Sequence, residues 1–307
     1  MSKVIVTGGA GFIGSHLVDA LVDQNHQVIV IDDFSTGSKK NLEKNKTKIK
    51  ILEIPLSIEK LLKKIPKLLI GTDYIFHLAA LPRIERSIED PIGTHQANVE
   101  GTLVALELSR ILKVKKFIFA SSSSVYGIQK RIPLNETLTP NPQNPYAYQK
   151  LMGEYYCQIY SQNHNLEIIV FRLFNVYGPR MFSKGSYKLV FTKWIDQIKN
   201  GAPLTIYGSG HQTRDFTYIS DVVRGFIFGI NTQLKKTYDV INLGGGKEKS
   251  IIDMAKLFKK DMQYLPSRPY EEKFKEADIS KAKKLLKWNP DISIDEGIKK
   301  LLEYYRT

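Results

Sequence analysis

Cysteine, acidic side chains and long apolar runs are scarce in this sequence of 307 residues. The single cysteine, Cys157, excludes an intramolecular disulfide and a cysteine-rich metal site, and we expect it to be a small buried apolar residue. No apolar run approaches the roughly 20 residues of a transmembrane helix. The first residues enter a strand-like pattern without a signal-peptide layout. We therefore expect a protein of a reducing compartment, most simply the cytoplasm, with no membrane partner.

The deficit of acidic side chains gives a net charge of +14, from 45 basic and 31 acidic residues. Such a balance suggests a nucleic-acid partner. The lysines, however, fall in short scattered clusters such as Lys39-Lys40 and Lys259-Lys260, and there is no arginine-rich tail or zinc-finger spacing. We interpret the excess as a solvated basic surface without a nucleic-acid partner. A positive field would equally attract a phosphate-bearing small molecule.

The first half of the chain alternates apolar runs with helix-like segments. The runs are apolar throughout, which indicates strands buried on both faces. Together with the helices they predict an α/β fold, a Rossmann-type doubly wound parallel sheet. The expected strands are Lys3–Thr7, Gln27–Ile31, Ile49–Ile54, Tyr74–Leu78, Lys116–Ala120 and Glu167–Phe171, and the expected long helices are Ile13–Asp23, Gly93–Leu112 and Tyr146–Asn163.

The second half is punctuated by glycine and proline, as in Tyr177-Gly178-Pro179. We expect a sheet domain over 1–175, to which a segment near 212–243 returns with the strand-like run Tyr238–Leu243. A smaller, interleaved α/β lobe would occupy 176–307, with a cleft between the two parts.

Three glycines, Gly8, Gly11 and Gly14, stand between the first strand and the first helix. Eighteen residues after Gly14 comes Asp32, at the end of the second strand. Small residues let a pyrophosphate approach the backbone N–H groups at the helix N-terminus, and a carboxylate at this spacing can bind a ribose hydroxyl. Asp32 and the following Asp33 would repel a 2′-phosphate, so the pattern predicts NAD rather than NADP.

Tyr146 and Lys150 are four residues apart and therefore share one face of a predicted helix. A phenol has an ordinary pKa near 10, which a neighbouring ammonium and a positive nicotinamide ring would lower toward neutrality. The pair alone is common by chance. A functional role for the pair is indicated by the serine run Ser121–Ser124 at the end of the preceding strand. Ligands of open α/β sheets bind beyond such strand ends.

These motifs resemble the extended short-chain dehydrogenase/reductase family, and within it the nucleotide-sugar 4-epimerases that act on UDP-glucose or UDP-N-acetylglucosamine. The resemblance covers almost the whole chain. It implies an NAD-binding part and a UDP-sugar-binding part, and a homodimer formed by the helices near 93–112 and 146–163. The further motifs that carry it are Phe76–Ala80, Asn98–Thr102, Arg172–Arg180, Gln212–Phe216, Arg268-Pro269 and Ala277–Ala282.

The resemblance also implies the role of each site residue. Ser122, Tyr146 and Lys150 would be catalytic. The cofactor would contact Gly8, Gly11, Phe12, Ile13, Gly14, Asp32, Asp33, Leu78, Ala79, Ala80, Asn98, Tyr146, Lys150 and Phe174. The UDP-sugar would contact Arg83, Ser122, Ser124, Tyr146, Asn175, Arg214, Arg268, Glu271 and Lys275. No metal site is expected, and His77 is interpreted as a packed residue at a strand end.

Several positions bear on the substrate. Related dehydratases and decarboxylases carry a carboxylate after the helper hydroxyl, where this chain has Ser123-Ser124, which disfavours elimination. Pro55 stands where relatives usually have an aspartate that contacts adenine. Arg83 and Lys275 occupy sugar-facing positions, and we formulate the hypothesis that they meet an acidic sugar substituent.

The sequence therefore predicts an NAD-dependent UDP-hexose 4-epimerase that works through a 4-keto intermediate. The open alternatives are a UDP-uronate 4-epimerase, a 4-keto-sugar reductase, a 4,6-dehydratase and a non-enzymatic NAD-binding protein.

Overall fold

The structure, a computed structural model, describes residues 1–63, 65–130, 132–181, 189–267 and 274–306. The strands are β1 (Lys3–Thr7), β2 (Gln27–Ile31), β3 (Lys50–Leu52), β4 (Tyr74–His77), β5 (Lys116–Ser122), β6 (Glu167–Leu173), β7 (Val176–Tyr177), β8 (Leu204–Tyr207), β9 (Thr213–Asp215), β10 (Thr217–Tyr218), β11 (Tyr238–Leu243), β12 (Glu248–Ser250) and β13 (Met262–Leu265). The α-helices are α1 (Phe12–Asp23), α2 (Ile84–Glu89), α3 (Pro91–His95), α4 (Gly101–Leu112), α5 (Pro145–His164), α6 (Val190–Lys199), α7 (Ile219–Asn231), α8 (Ile251–Lys256), α9 (Ser280–Leu286) and α10 (Ile294–Tyr305).

Seven of the described strands form one parallel sheet in the order β11-β6-β5-β4-β1-β2-β3. The strand order reverses between β1 and β4, so the loops after these strands diverge to opposite sides. A crevice forms at such a switch point, beyond the carboxyl ends of the strands. The predicted Rossmann-type sheet is confirmed.

Both faces of the sheet are buried, as the unbroken apolar runs indicated. On β1, Val4 and Val6 join one hydrophobic cluster with Leu17 of α1, whereas Ile5 joins the opposite cluster with Leu108 of α4. Because successive side chains of a strand point to opposite faces, every residue of such a strand must be apolar.

The predicted helix over 93–112 is present, and it contains a π-helical turn. A π-helical turn, Gln96–Glu100, separates α3 from α4. Asn98 lies in this turn, and its side chain hydrogen-bonds the backbone of Leu81 in the loop after β4. Helix periodicity alone does not register such a long-range contact, so the sequence did not predict the π-helical turn.

The later part of the chain contributes β11 to the main sheet, where it pairs with β6. It also forms three two-stranded sheets, β7 with β10, β9 with β12 and β8 with β13. Asp215 of β9 is fully buried and accepts hydrogen bonds from the N–H groups of Gly245, Gly246 and Ala277. This carboxylate therefore joins three chain segments near the crevice.

Cys157 is buried in the cluster between the sheet and α4 and α5, as expected. Over the ranges that the structure describes, no helix combines the length and the apolar character that crossing a membrane requires.

Candidate active site

A cavity of about 2100 Å³ opens at the switch point, at the carboxyl ends of β1, β2, β4 and β5. Its wall includes the glycine loop at one end and Ser122, Tyr146 and Lys150 further along. Pockets for drug-sized ligands have volumes of roughly 300–1,000 Å³. The cavity therefore has room for two nucleotide-sized molecules side by side.

The glycine loop is packed so closely that side chains are excluded from it. Gly8 has a φ of +69°, and a Cβ there would lie 2.6 Å from the amide nitrogen of Ala79. A Cβ on Gly14 would lie 2.2 Å from the carbonyl oxygen of Gly8. The loop thus brings the start of α1 against the backbone after β4, with an open surface toward the cavity.

The N-terminus of α1 is available to an anion. Gly11, its N-cap residue, supplies no side-chain cap, and the first turn contains no acidic residue. The free N–H groups of that turn and the helix dipole both favour a negative group there. Phe12 and Ile13 of this turn line the cavity.

Asp32 lies on the cavity wall at the end of β2, with 8% of its surface exposed. Its two carboxylate oxygens accept hydrogen bonds from the N–H groups of Ala10 and Phe34, at 2.8 Å each. Burial raises the pKa of Asp32, and these two bonds oppose the rise. The backbone thus fixes the orientation of the carboxylate, and Asp33 beside it is exposed.

His77 organises the loop after β4 through a chain of hydrogen bonds. The Thr102 hydroxyl donates to the Asn98 carbonyl (2.6 Å), so it accepts from Nε2 of His77 (2.9 Å). Nδ1 then accepts from the Thr7 hydroxyl (2.8 Å), which in turn accepts from the Ala79 N–H (3.3 Å). Burial lowers the pKa of His77 to about 3, so the ring is neutral and serves as the packed residue that the sequence suggested.

Tyr146 and Lys150 lie in the first turns of α5 and both reach the cavity, where Ser122 of β5 faces them. Lys150 is buried, and its ammonium donates to the carbonyl of Ala120 (2.9 Å) and lies 4.9 Å from the centroid of the Phe119 ring. Burial lowers its pKa to about 8. The three residues thus meet at one point of the cavity wall.

The phenol of Tyr146 is subject to opposing influences on its pKa. Burial raises its pKa, while a hydrogen bond with Ser122 and the charge of Arg83 lower it. The prediction placed a lowering charge on Lys150, whose ammonium is instead engaged by the Ala120 carbonyl. In the protein alone, desolvation outweighs the nearby cation. The expected decrease of the Tyr146 pKa concerns a phenol beside a positive nicotinamide ring, and it stays a prediction.

A buried ion pair behind this site was not predicted. Glu154, one turn after Lys150 on α5, binds Arg172 of β6 through two N–H groups at 3.0 and 2.7 Å. It also accepts a hydrogen bond from Ser121, the neighbour of Ser122 on β5. A glutamate four residues after a helical lysine was the available signal, since a buried charge requires a partner.

Two residues that the resemblance assigns to the cofactor, Asn98 and Phe174, are buried behind the cavity wall, at 1% and 0% exposure. The amide of Asn98 is engaged by Leu81 and Gln149. Phe174 packs on Tyr126, with ring centroids 6.1 Å apart. These two positions support the wall and do not form it.

Most of the residues expected to bind the sugar nucleotide do form the wall. Arg268 and Glu271 lie outside the described residues. Those on the wall are Arg83, Ser122, Ser124, Tyr146, Asn175, Arg214 and Lys275.

A sequence model of the NAD dependent epimerase/dehydratase family matches residues 4–244 of the chain. The chain belongs to this family. Over 99% of its length it is 33% identical to a putative UDP-glucose 4-epimerase of Methanocaldococcus jannaschii, of which 98% is covered.

Two solved structures of family members resemble the protein along its whole length. One is a UDP-N-acetylglucosamine 4-epimerase of Methanobrevibacter ruminantium in complex with UDP-N-acetylmuramic acid, with a TM-score of 0.93, 34% identity and coverage of 99% and 98% of the two chains. The other is a UDP-glucuronic acid 4-epimerase of Bacillus cereus with UDP-glucuronic acid and NAD, with a TM-score of 0.88, 36% identity and 99% coverage of both chains.

NAD is the cofactor of this family member. The observed site fits it: the glycine loop packs the start of α1 against the backbone after β4 with no side chain between them, the start of α1 is uncapped, and Asp32 offers an oriented carboxylate. Pro55, which stands where the resemblance implies an aspartate, also lines the cavity.

Proposed function

We propose that the protein is an NAD-dependent UDP-hexose 4-epimerase. The observation that carries the proposal is the meeting of Ser122, Tyr146 and Lys150 in the same cavity as the uncapped glycine loop. This pairing brings a proton-transfer group and a dinucleotide cradle to one substrate space. The known relatives named above act on neutral, N-acetylated and acidic sugars, so the family alone leaves the sugar open.

Tyr146 is the proposed acid–base group. Its phenolate removes the proton of the C4 hydroxyl, and its phenol later returns a proton to the 4-keto oxygen, so each turnover leaves it unchanged. NAD, when bound, supplies a reversible hydride acceptor and a positive charge that favours the phenolate. Ser122 assists by its hydrogen bond, which stabilises the phenolate and lowers the Tyr146 pKa.

Lys150 is proposed to supply a fixed positive charge near the base. The carbonyl of Ala120 and the face of Phe119 hold its ammonium in one place. Glu154 in turn opposes the loss of the Lys150 proton, although burial has the larger influence on its pKa. With a pKa of about 8, Lys150 is mainly protonated at neutral pH.

The end of β5 favours simple oxidation and reduction at C4 over elimination. Between Ala120 and Tyr126 the sequence contains four serines and a valine and no carboxylate. Loss of water would need an acid and a base there. The Ser124 hydroxyl instead donates to the Ser122 hydroxyl at 2.9 Å.

We propose the remaining roles on the same basis. The part over 1–175 would hold NAD through Gly8, Gly11, Gly14 and Asp32. The part over 176–307 would bind the nucleotide sugar, with Asn175 at the boundary and Arg214, Arg268 and Glu271 on the UDP group.

We also propose a homodimer that forms through α5. Tyr148, Met152, Tyr155 and Ile159 follow each other at spacings of four, three and four residues, so they share one helix face, and each is 38–56% exposed. A second copy of the chain would cover this apolar stripe. In analytical ultracentrifugation we expect a dimer for the wild type and a monomer for Tyr155→Glu, while Ile70→Glu, at an exposed site elsewhere, should leave the dimer intact.

The epimerase activity is tested by incubating the purified protein with UDP-glucose, UDP-N-acetylglucosamine and UDP-glucuronic acid, without added cofactor. Chromatography of the products should resolve a pair of C4 epimers from at least one of them. Protein that lacks bound NAD and works only with added NADH would instead indicate a 4-keto-sugar reductase.

The acid–base role is tested by Tyr146→Phe. We expect turnover to fall by roughly 10³-fold with little change in substrate binding. Tyr148→Phe, two residues along the same helix and 56% exposed, is the matched control and should keep wild-type turnover. Near-normal turnover of Tyr146→Phe would refute the assignment.

A further inference from the structure

Arg83 is a cation on the cavity wall, and its charge has no ion-pair partner among the residues that the structure describes. It is half-buried on the cavity wall, just before α2. In the part of the chain that the structure describes, its guanidinium makes no hydrogen bond and no ion pair. A guanidinium carries five N–H donors and is almost never left buried without acceptors.

The surroundings of Arg83 show where an anion would lie. The group that interacts most strongly with its charge is Tyr146, and the exposed Glu85 has a smaller influence. Burial lowers the pKa of Arg83, which means that the protein has partly removed the guanidinium from water. The unmet donors therefore face the region of the catalytic phenol.

The diphosphate does not account for this cation. We have assigned the UDP group to Arg214 and its neighbours, on the later part of the chain, whereas Arg83 follows β4. Tyr146 acts at C4 of the sugar, so a group beside Tyr146 and Arg83 belongs to the hexose ring. Lys275, which is 6% exposed, adds a second cationic side chain to the same cavity wall.

We propose, on the basis of the function proposed above, that the sugar of the substrate carries a carboxylate next to C4, which the Arg83 guanidinium binds. The carboxylate could be C6 of a hexuronate, attached at C5, or the acid of an ether at O3, as in a muramate. Arg–carboxylate pairs are planar and often bidentate, which would fix the ring relative to the phenol as well as select the charge.

The test measures dissociation constants in the presence of NAD by isothermal titration calorimetry, in the Tyr146→Phe background so that no turnover disturbs the measurement. The ligands are UDP-glucuronic acid, UDP-N-acetylmuramic acid and their counterparts with an uncharged sugar, UDP-glucose and UDP-N-acetylglucosamine. We expect one acidic ligand to bind at least 10-fold more tightly than its counterpart, which also distinguishes the C5 from the O3 carboxylate.

Arg83→Gln should then weaken binding of the preferred acidic ligand by roughly 10- to 100-fold and change binding of its uncharged counterpart by less than about threefold. Arg83→Lys should retain part of the preference for the acidic ligand, because it keeps the positive charge but loses the paired N–H donors of the guanidinium. Arg306→Gln, at an exposed site near the end of the chain, is the control.

Two outcomes overturn the inference: equal binding of acidic and neutral ligands, or an acidic preference that Arg83→Gln leaves unchanged. Steady-state kinetics of the wild type distinguish failure of the carboxylate site from failure of the proposed epimerase function. Epimerisation of neutral sugars with no effect of Arg83→Gln would refute the carboxylate site alone. Tight acidic binding with no epimer formed from any ligand would refute the epimerase proposal and leave the carboxylate site standing.

Discussion

The cavity has a nucleotide end, formed by the glycine loop and Asp32, and a proposed sugar end, formed by Arg83, Ser122 and Tyr146. The polar groups of these two ends are satisfied in different ways. At the nucleotide end, both nitrogens of His77 and both carboxylate oxygens of Asp32 are hydrogen-bonded within the protein. At the sugar end, the Arg83 guanidinium has no partner among the described residues, and the Tyr146 phenol lies beside it. The polar groups of the nucleotide end are thus hydrogen-bonded within the protein. Under the proposed function, the guanidinium at the sugar end instead receives its partner from the substrate.

This difference indicates how each end contributes to function. Completed hydrogen bonds at the nucleotide end stabilise the fold and fix the cradle before a ligand arrives. The partly desolvated Arg83 and Tyr146 at the sugar end cost folding free energy. Under the proposed function, they stabilise the complex only when substrate binds. Substitutions should therefore affect stability at the first end and turnover or selectivity at the second.

The largest effect on stability is expected for Gly8→Ala. The added Cβ would lie 2.6 Å from a backbone nitrogen, which cannot move aside as a side chain could, and φ is +69°. Left-handed strain of about 1–2 kcal/mol and overpacking of about 1–3 kcal/mol together predict a loss of roughly 2–5 kcal/mol in the free energy of unfolding. Urea denaturation measures this loss, and the NAD content of the purified protein should fall with it.

Gly71→Ala is the matched control for this change. Gly71 has a similar φ of +79°, but a Cβ there has no neighbour within 4 Å. It should therefore show the backbone strain alone, about 1–2 kcal/mol. Equal losses for the two variants would show that the packing of the glycine loop against Ala79 is not tight.

The second effect is a dependence of stability on pH that originates from His77. Its pKa is about 3 in the folded protein and near 6.5 in the unfolded chain, so the unfolded chain takes up a proton that the native state cannot. Its contribution is complete above pH 6.5 and is lost as pH falls toward 3. Between pH 7.5 and 5.0 this group should lower the free energy of unfolding by about 2 kcal/mol.

His77→Gln tests this assignment, since an amide keeps a donor and an acceptor but does not titrate in this range. Its unfolding free energy should lose about 2 kcal/mol less than that of the wild type between the two pH values. His211→Gln, at an exposed position, should keep the wild-type slope. A slope unchanged by His77→Gln would place the acid sensitivity in another group.

The sheet and the position of Ser122, Tyr146 and Lys150 on one cavity wall were predictable from the sequence for local reasons. A strand buried on both faces, such as β5, must be apolar throughout, and residues four apart on a helix, such as Tyr146 and Lys150, must share a face. Their position beyond β5 then followed from the topology of parallel sheets.

The features that the sequence did not predict depend on contacts that are distant along the chain. The π-helical turn accompanies the bond between Asn98 and Leu81, which lie 17 residues apart in sequence. The raised pKa of Tyr146 depends on how deeply its phenol is buried. The pair of Glu154 with Arg172 joins α5 to β6. Apart from the spacing of Lys150 and Glu154, which does not identify Arg172 as the partner, none of these leaves a periodic or local signature.

The smallest effect on stability is expected for Ser122→Ala at the sugar end. The Ser122 hydroxyl accepts from the N–H and the hydroxyl of Ser124 at 3.2 and 2.9 Å, and the cavity offers water as a substitute. The free energy of unfolding should change by less than about 1 kcal/mol. Turnover should fall by roughly 10- to 100-fold, because the phenolate loses a hydrogen bond that stabilises it.

The pH profile of kcat distinguishes this chemical role from a structural one. Because Ser122 lowers the Tyr146 pKa, its removal should move the rise of activity, which follows deprotonation of the phenol, to higher pH. Ser280→Ala, at an exposed position on α9, should leave both stability and profile unchanged. Suppose instead that Ser122→Ala lowers the free energy of unfolding by more than about 2 kcal/mol and leaves the pH profile unshifted. Ser122 would then have a structural role, and the contrast between the two ends would not include the end of β5.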